Sequence, residues 1–210
     1  MIYFFRKLKS YKLKAISYKL NKGMTYIELI VVLIIFTIMS SVVIFNYGDF
    51  QSRIDLKNLA SDIALQVVAA QKASLSGLQP VQIPTVSPWK PAYGIYFNSS
   101  GVNSKSFVYF VDLDNSNFAS GGNCTGECVN YFAITKGNYV SRIDSYVGAV
   151  ATSITNPICV TFKRPNSSAI FSYSDGTTVT GFDYMQITVS SPKGKTSLIK
   201  IYPSGRIQVN

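Results

Sequence analysis

Residues 29–45 are apolar without interruption except for Thr37, Ser40 and Ser41. A run of this kind has no polar face. With residues 24–27 added, it reaches the roughly 20 residues needed to cross a bilayer as a helix. Beyond Asn46-Tyr47-Gly48-Asp49 the pattern changes. Leu56, Leu59, Ile63, Val67 and Ala70 recur at three- and four-residue spacing, and Arg53, Lys57, Asp62, Gln66 and Gln71 occupy the rest of the surface. That spacing predicts an amphipathic helix with one stripe facing a core. The two stretches together predict a single helix over 24–76, with its membrane-crossing part at about 24–45, Gly48 as the point where it can loosen, and a C-terminal cap at Gly77.

Residues 77–92 carry Pro80, Pro84, Pro88 and Pro91, which repeatedly break regular structure and predict an extended crossover. Trp89 is expected to pin that crossover by packing. From 93 to 210 the pattern shortens to a strand period. Strands are predicted at 93–97, 107–111, 139–147, 158–162, 169–173, 184–189 and 198–202, where β-branched and aromatic residues are dense. The last pairs with 206–209 through the turn Pro203-Ser-Gly205. About eight short strands with turn-rich joins predict an α+β chain: a long N-terminal helix, transmembrane and then amphipathic, packed on an antiparallel sheet.

The formal charge of +10 at first points to a polyanion-binding surface. Its distribution changes that picture. Seven of the 20 basic residues fall in residues 1–23, which contain no acid, so the other thirteen face ten acids and leave a net of +3. The basic segment runs up to a candidate cut at Gly23, before the apolar run, whereas a secretory signal has its cleavage site after the apolar stretch. The charge asymmetry sets the leader in the cytoplasm and the C-terminus outside. The chain has no histidine, which excludes His-based nucleophile systems and His-containing zinc sites. Glu28 is the one carboxylate at the start of the apolar segment. A charge there costs a few kcal/mol, about 3 on insertion scales, and calls for a partner.

Lys22-Gly23-Met24-Thr25-Tyr26-Ile27-Glu28-Leu29, followed by Ile30-Val31-Val32-Leu33-Ile34-Ile35, resembles the prepilin cleavage and methylation motif of type IV pilins and type II secretion pseudopilins. The resemblance implies a pilin-like fold and cleavage after Gly23 by a prepilin peptidase. It also implies N-methylation of Met24 and use of Glu28 for docking between subunits, with the new amino group one helical turn away. Met24 departs from the commonest phenylalanine. Residues 160–166, 170–172 and 199–209 look like the closing sheet of H-type minor pseudopilins. The implied partners are the peptidase, an assembly ATPase, other pilin or pseudopilin subunits and the membrane. The implied location is single-pass in the cytoplasmic membrane, then a periplasmic or cell-surface filament.

Several other groups invite chemistry. Cys124-Thr-Gly-Glu-Cys128 reads as a small disulfide-closed loop in an exported domain, with Cys159 left over; the alternative is three reduced thiols. Asp112-Leu-Asp114-Asn-Ser-Asn117 resembles the start of a calcium loop, and some pseudopilins bind calcium. However, Asn117 and Asn123 stand where an EF-hand needs Gly and Glu. A polar turn is the simpler expectation, with Glu127 able to reach back only if its loop folds over. Lys163, Arg164, Lys193, Lys195, Lys200 and Arg206 are candidates for a basic face, and some minor pilins of DNA-uptake pili bind nucleic acid this way. The alternative function is therefore a DNA-binding minor pilin, whereas ordinary solvated strand edges are the plainer reading. Asp175 and Asp183 have no nucleophile, orienter or metal set beside them. The expectation is a filament subunit that is not an enzyme and needs no cofactor.

Overall fold

The computed structural model describes residues 23–79, 91–119 and 126–210. The leader before Gly23, and Pro80, Pro84, Pro88 and Trp89 of the crossover, lie outside the described residues. The chain divides into two compact units, Met1–Phe45 and Asn46–Asn210. Helix α1, Tyr26–Ser76, contributes to both.

In the first unit, α1 presents apolar side chains on every side, and Phe36, Met39, Val43 and Phe45 are among the most exposed. An 18-residue window has mean hydropathy 2.8 and none of it is buried. This is one N-terminal helix long and apolar enough to cross a membrane. The Thr37 hydroxyl is satisfied locally: its Oγ1 donates to the Leu33 carbonyl at 2.7 Å, which removes most of the cost of a hydroxyl in an apolar setting.

In the second unit, α1 buries Leu56, Ala60, Ile63, Val67, Ala70 and Ala73 along one stripe. Its end is a Schellman motif. Gly77 has φ +62, its N–H donates to Ser74 O at 3.0 Å, and the Leu78 N–H donates to Ala73 O at 3.1 Å. Left-handed backbone is cheap only for glycine, so the helix stops there.

Eleven strands follow among the described residues: β1 Ala92–Phe97, β2 Ser106–Asp112, β3 Cys128–Ala133, β4 Tyr139–Val147, β5 Val150–Ile154, β6 Ile158–Phe162, β7 Ala169–Tyr173, β8 Thr178–Val179, β9 Tyr184–Ser190, β10 Thr196–Ile201 and β11 Ile207–Val209. They form two sheets rather than the one expected, with orders β3-β2-β1-β6-β7-β8 and β11-β10-β9-β4-β5. Every pairing is antiparallel. The α1 stripe meets inward residues of both sheets in one core. It includes Tyr93, Ile95, Phe97, Val160 and Phe162 from the first sheet and Ile143, Met185, Ile187, Ile199 and Ile201 from the second. Each fully buried Ile or Phe here stabilises the fold by about 1.5–3 kcal/mol.

Polar tethers fix the helix on this core. Ser74 Oγ donates to Phe162 O at 2.6 Å. Gln71 Nε2 donates to Ser167 O at 2.8 Å and Gly205 O at 3.2 Å. Gly205, at φ +84 in the β10–β11 turn, lies so close to the Ser167 carbonyl and the Gln71 amide that any Cβ would collide with both.

The strands β1 and β6 are buried along their whole length, so both faces of the first sheet are covered there. On the outer face Tyr96, Val108, Phe110 and Cys159 pack beneath Phe118 and Ala119. The segment following β2 therefore lies across this face as a strap. Gly94 lets the Phe110 ring rest directly on backbone, since a Cβ would lie 2.7 Å from it.

Candidate functional site

The start of α1 is built by a cap. Gly23, Met24 and Thr25 are non-helical and exposed. Thr25 Oγ1 accepts the Glu28 N–H at 3.3 Å, and Thr25 O accepts the Leu29 N–H at 3.1 Å. Thr25 is thus the N-cap, with Glu28 at the third helical position, the spacing of a capping box. Glu28 is exposed in the first turn, where the helix dipole favours a negative charge. The signature Thr-x-x-Glu ahead of an apolar run is legible in the sequence, but Thr25 was not singled out there. Because the helix starts at Tyr26, the Gly23–Met24 bond joins two exposed, non-helical residues.

The acidic cluster sits at the base of the strap. Asp112 is wholly buried; its Oδ1 accepts the Ser116 N–H and its Oδ2 the Asn117 N–H, both at 3.0 Å. Asp114 Oδ1 accepts the same Ser116 N–H at 3.0 Å. Glu127 does reach back across the loop: its Oε1 accepts the Leu113 N–H at 2.9 Å and its carbonyl accepts the Val111 N–H at 2.8 Å. One oxygen from each of the three carboxylates lies within 4.8 Å of the other two. Burial pushes the Asp112 carboxyl up to about 6; the Asn117 N–H opposes this, and Asp114 reinforces it. Three carboxylates fall short of the six to eight oxygens that a calcium ion takes. The hydrogen bonds account for the geometry as a clamp on the strap.

Further along, the Asn117 carbonyl accepts from Thr161 Oγ1 at 3.0 Å and from Ser172 Oγ, which ties the strap to β6 and β7. The Ala119 N–H donates to Cys159 Sγ at 3.4 Å. Cys159 is free and buried, and burial raises its thiol to about 12. Cys128 is disulfide-bonded; Cys124 lies outside the described residues.

The basic residues are divided among several local partners. Lys163 Nζ donates to Asn115 Oδ1 on the strap, and Arg164 precedes Pro165 across a cis peptide bond. Lys195 Nζ is 3.6 Å from Asp49 Oδ2. The Arg206 guanidinium lies 3.9 Å from the Tyr202 ring centre and Lys200 Nζ 4.6 Å from that of Tyr184. Lys195 and Arg206 flank β10, a six-residue strand about 20 Å long. Tyr146 stacks on Tyr184 at 4.7 Å and Tyr202 lies tilted against Tyr184 at 5.5 Å, so much of their ring surface is spent on one another and on these cations. Asp175 and Asp183 each secure a turn, by accepting the Thr177 N–H at 2.8 Å and the Gly148 N–H at 2.6 Å.

Comparison with known proteins finds no matching family model, no similar curated protein and no similar solved structure.

Proposed function

We propose that this chain is a structural subunit, a minor pilin or pseudopilin with a pilin-like fold, processed from a membrane precursor and assembled into a type IV pilus or type II secretion pseudopilus. The observation that carries this reading is a capped helix with apolar side chains exposed on every side, one carboxylate in its first turn and a basic leader ending at Gly23. Such a surface is stable in lipid, and it is equally suited to packing against copies of itself once it leaves lipid.

In this reading the peptidase cuts after Gly23 and Met24 becomes the methylated terminus. Glu28 of one subunit then meets the Met24 amino group of a neighbour. The pairing gives otherwise featureless apolar helices a register, as buried polar groups do in coiled coils. The leader leaves with its charges, and the outer domain is displayed on the far side of the membrane. The role is structural rather than catalytic.

The test is processing followed by assembly. Gly23→Ala is expected to leave the precursor at full length in the membrane fraction, as read by mass spectrometry. Normal cleavage of that variant removes the proposal.

A further inference from the structure

The turn between β9 and β10 brings two ammonium groups to one place on α1. Lys193 Nζ lies 3.9 Å and Lys195 Nζ 3.6 Å from the two oxygens of Asp49. Gly48 leaves the space that the Lys193 ammonium occupies. Each ammonium carries three donors, so one shared carboxylate at these distances leaves most of them to solvent. Arg53, one turn along the helix, is exposed and has no ion-pair partner among the described residues. The local balance is three cations against one carboxylate. Tyr47 and Phe50, on either side of Asp49, expose 63% and 62% of their surface. Tyrosine is enriched at the boundary between lipid and water, and lysine and arginine there keep their charge in water.

The place of this patch along the chain gives the partner. Asp49 is four residues beyond Phe45, the last residue of the apolar run. Four residues span at most about 14 Å, whatever the conformation between them. The head-group layer is about 5–8 Å deep on each face. Lysine and arginine stems add reach while keeping their charge in water.

We propose that Lys193, Lys195 and Arg53, with Tyr47 and Phe50, form a contact surface for anionic phospholipid head groups on the face of the membrane from which residue 46 emerges. This rests on the reading of residues 24–45 as a membrane span. Lipid phosphate takes the donors that Asp49 leaves free, and Asp49 competes with it. When the subunit leaves lipid, Asp49 keeps the two lysines partly neutralised. The lysines are thus held either by the membrane or by their own helix.

The experiment uses the full chain reconstituted in vesicles of phosphatidylcholine alone or of phosphatidylcholine with phosphatidylglycerol. Lysines are labelled with a membrane-impermeant amine reagent and read peptide by peptide, with exposed Lys105 as the internal reference. Lys193 and Lys195 are expected to label about fivefold more slowly in the anionic vesicles, the change in occupancy that one cation near such a surface confers. Lys105 should be unchanged, and the protection should disappear at high salt. Asp49→Asn should widen the difference between the two lipids, because it removes the competitor; a merely structural ion pair predicts no lipid dependence in either protein. Equal labelling in both vesicles overturns the proposal. So does protection in neutral vesicles by added inorganic phosphate to the same degree, which would show a free-anion site instead. Flotation after an alkaline wash reports separately on the span. A chain that fails to float refutes the membrane reading and this surface with it, whereas a chain that floats with equal labelling refutes only the surface.

Discussion

The backbone amide of Glu28 donates to the hydroxyl of Thr25 at 3.3 Å, so the residue proposed to dock subunits also belongs to the first turn of its own helix. Those two roles respond differently to substitution. Thr25→Ala removes the cap and should cost about 1 kcal/mol of helix-start stability, seen as faster amide exchange at residues 26–29, with incorporation into filaments retained. Glu28→Gln keeps a residue suited to the capping position but loses the charge. It should be cleaved normally, exchange like the unaltered chain and be absent from sheared filaments. Filament entry by Glu28→Gln at the unaltered level would refute the docking role.

The turn at Gly205 should be among the least tolerant positions outside the core. A side chain there meets the Ser167 carbonyl and Gln71 amide, on backbone that already has φ +84. Gly205→Ala is expected to lower unfolding free energy by about 2 kcal/mol or more. Gln71→Ala, which removes hydrogen bonds without creating a clash, should cost about 1 kcal/mol. Denaturant midpoints of the full chain in detergent separate the two.

The β domain should lose stability as pH rises through the acid range. The Asp112 carboxyl is raised from 3.8 to about 6 in the folded protein, chiefly by burial. Between those values the folded state holds a proton that the unfolded chain has released. The stability contributed by this group is therefore complete below about 4 and is lost as pH rises through 6. Asp112→Asn should flatten the dependence of melting temperature on pH between 4 and 6. An unchanged slope would place the titration elsewhere.

Cys159 should be chemically silent while the domain is folded. Its thiol is pushed up to about 12 by burial and lies under Ala119, so almost no thiolate exists near neutral pH. A thiol reagent should modify it only at the rate of unfolding. Modification at the rate of a free thiol would mean that the strap opens in the native state.

Much of this architecture was legible beforehand. The switch from an unbroken apolar run to a three-and-four spacing marked out α1 to within two residues of its observed start, Tyr26, and ended it at Ser76. Glycine chemistry placed the stop at Gly77. Strands β4, β6 and β7 match the expected bounds, because β-branched and aromatic residues are dense in them. The strands that were missed are exposed or short. β5 is Val-Ala-Thr-Ser-Ile, solvent-facing in four of its five residues; β8 has two residues; β3 is an edge strand with little burial. Hydrophobic periodicity has no purchase on such segments, since tertiary pairing rather than composition makes them strands. The division into two sheets was hidden for the same reason. In the Asp112-Asn117 stretch the pattern of oxygens was readable. That Glu127 would close on it, and that Asn117 would be held by Thr161 and Ser172, depended on contacts remote in sequence.

The way α1 is shared between the two units governs how the protein can be handled and how it bears mechanical stress. Residues 46–76 are not a stalk beneath a finished domain; through Leu56, Ile63 and Val67 they are one wall of it. Cutting at residue 76 would therefore open the interior, whereas a cut near residue 46 follows the natural seam. By the same logic, tension applied through the apolar segment reaches both sheets through the packing of a single helix.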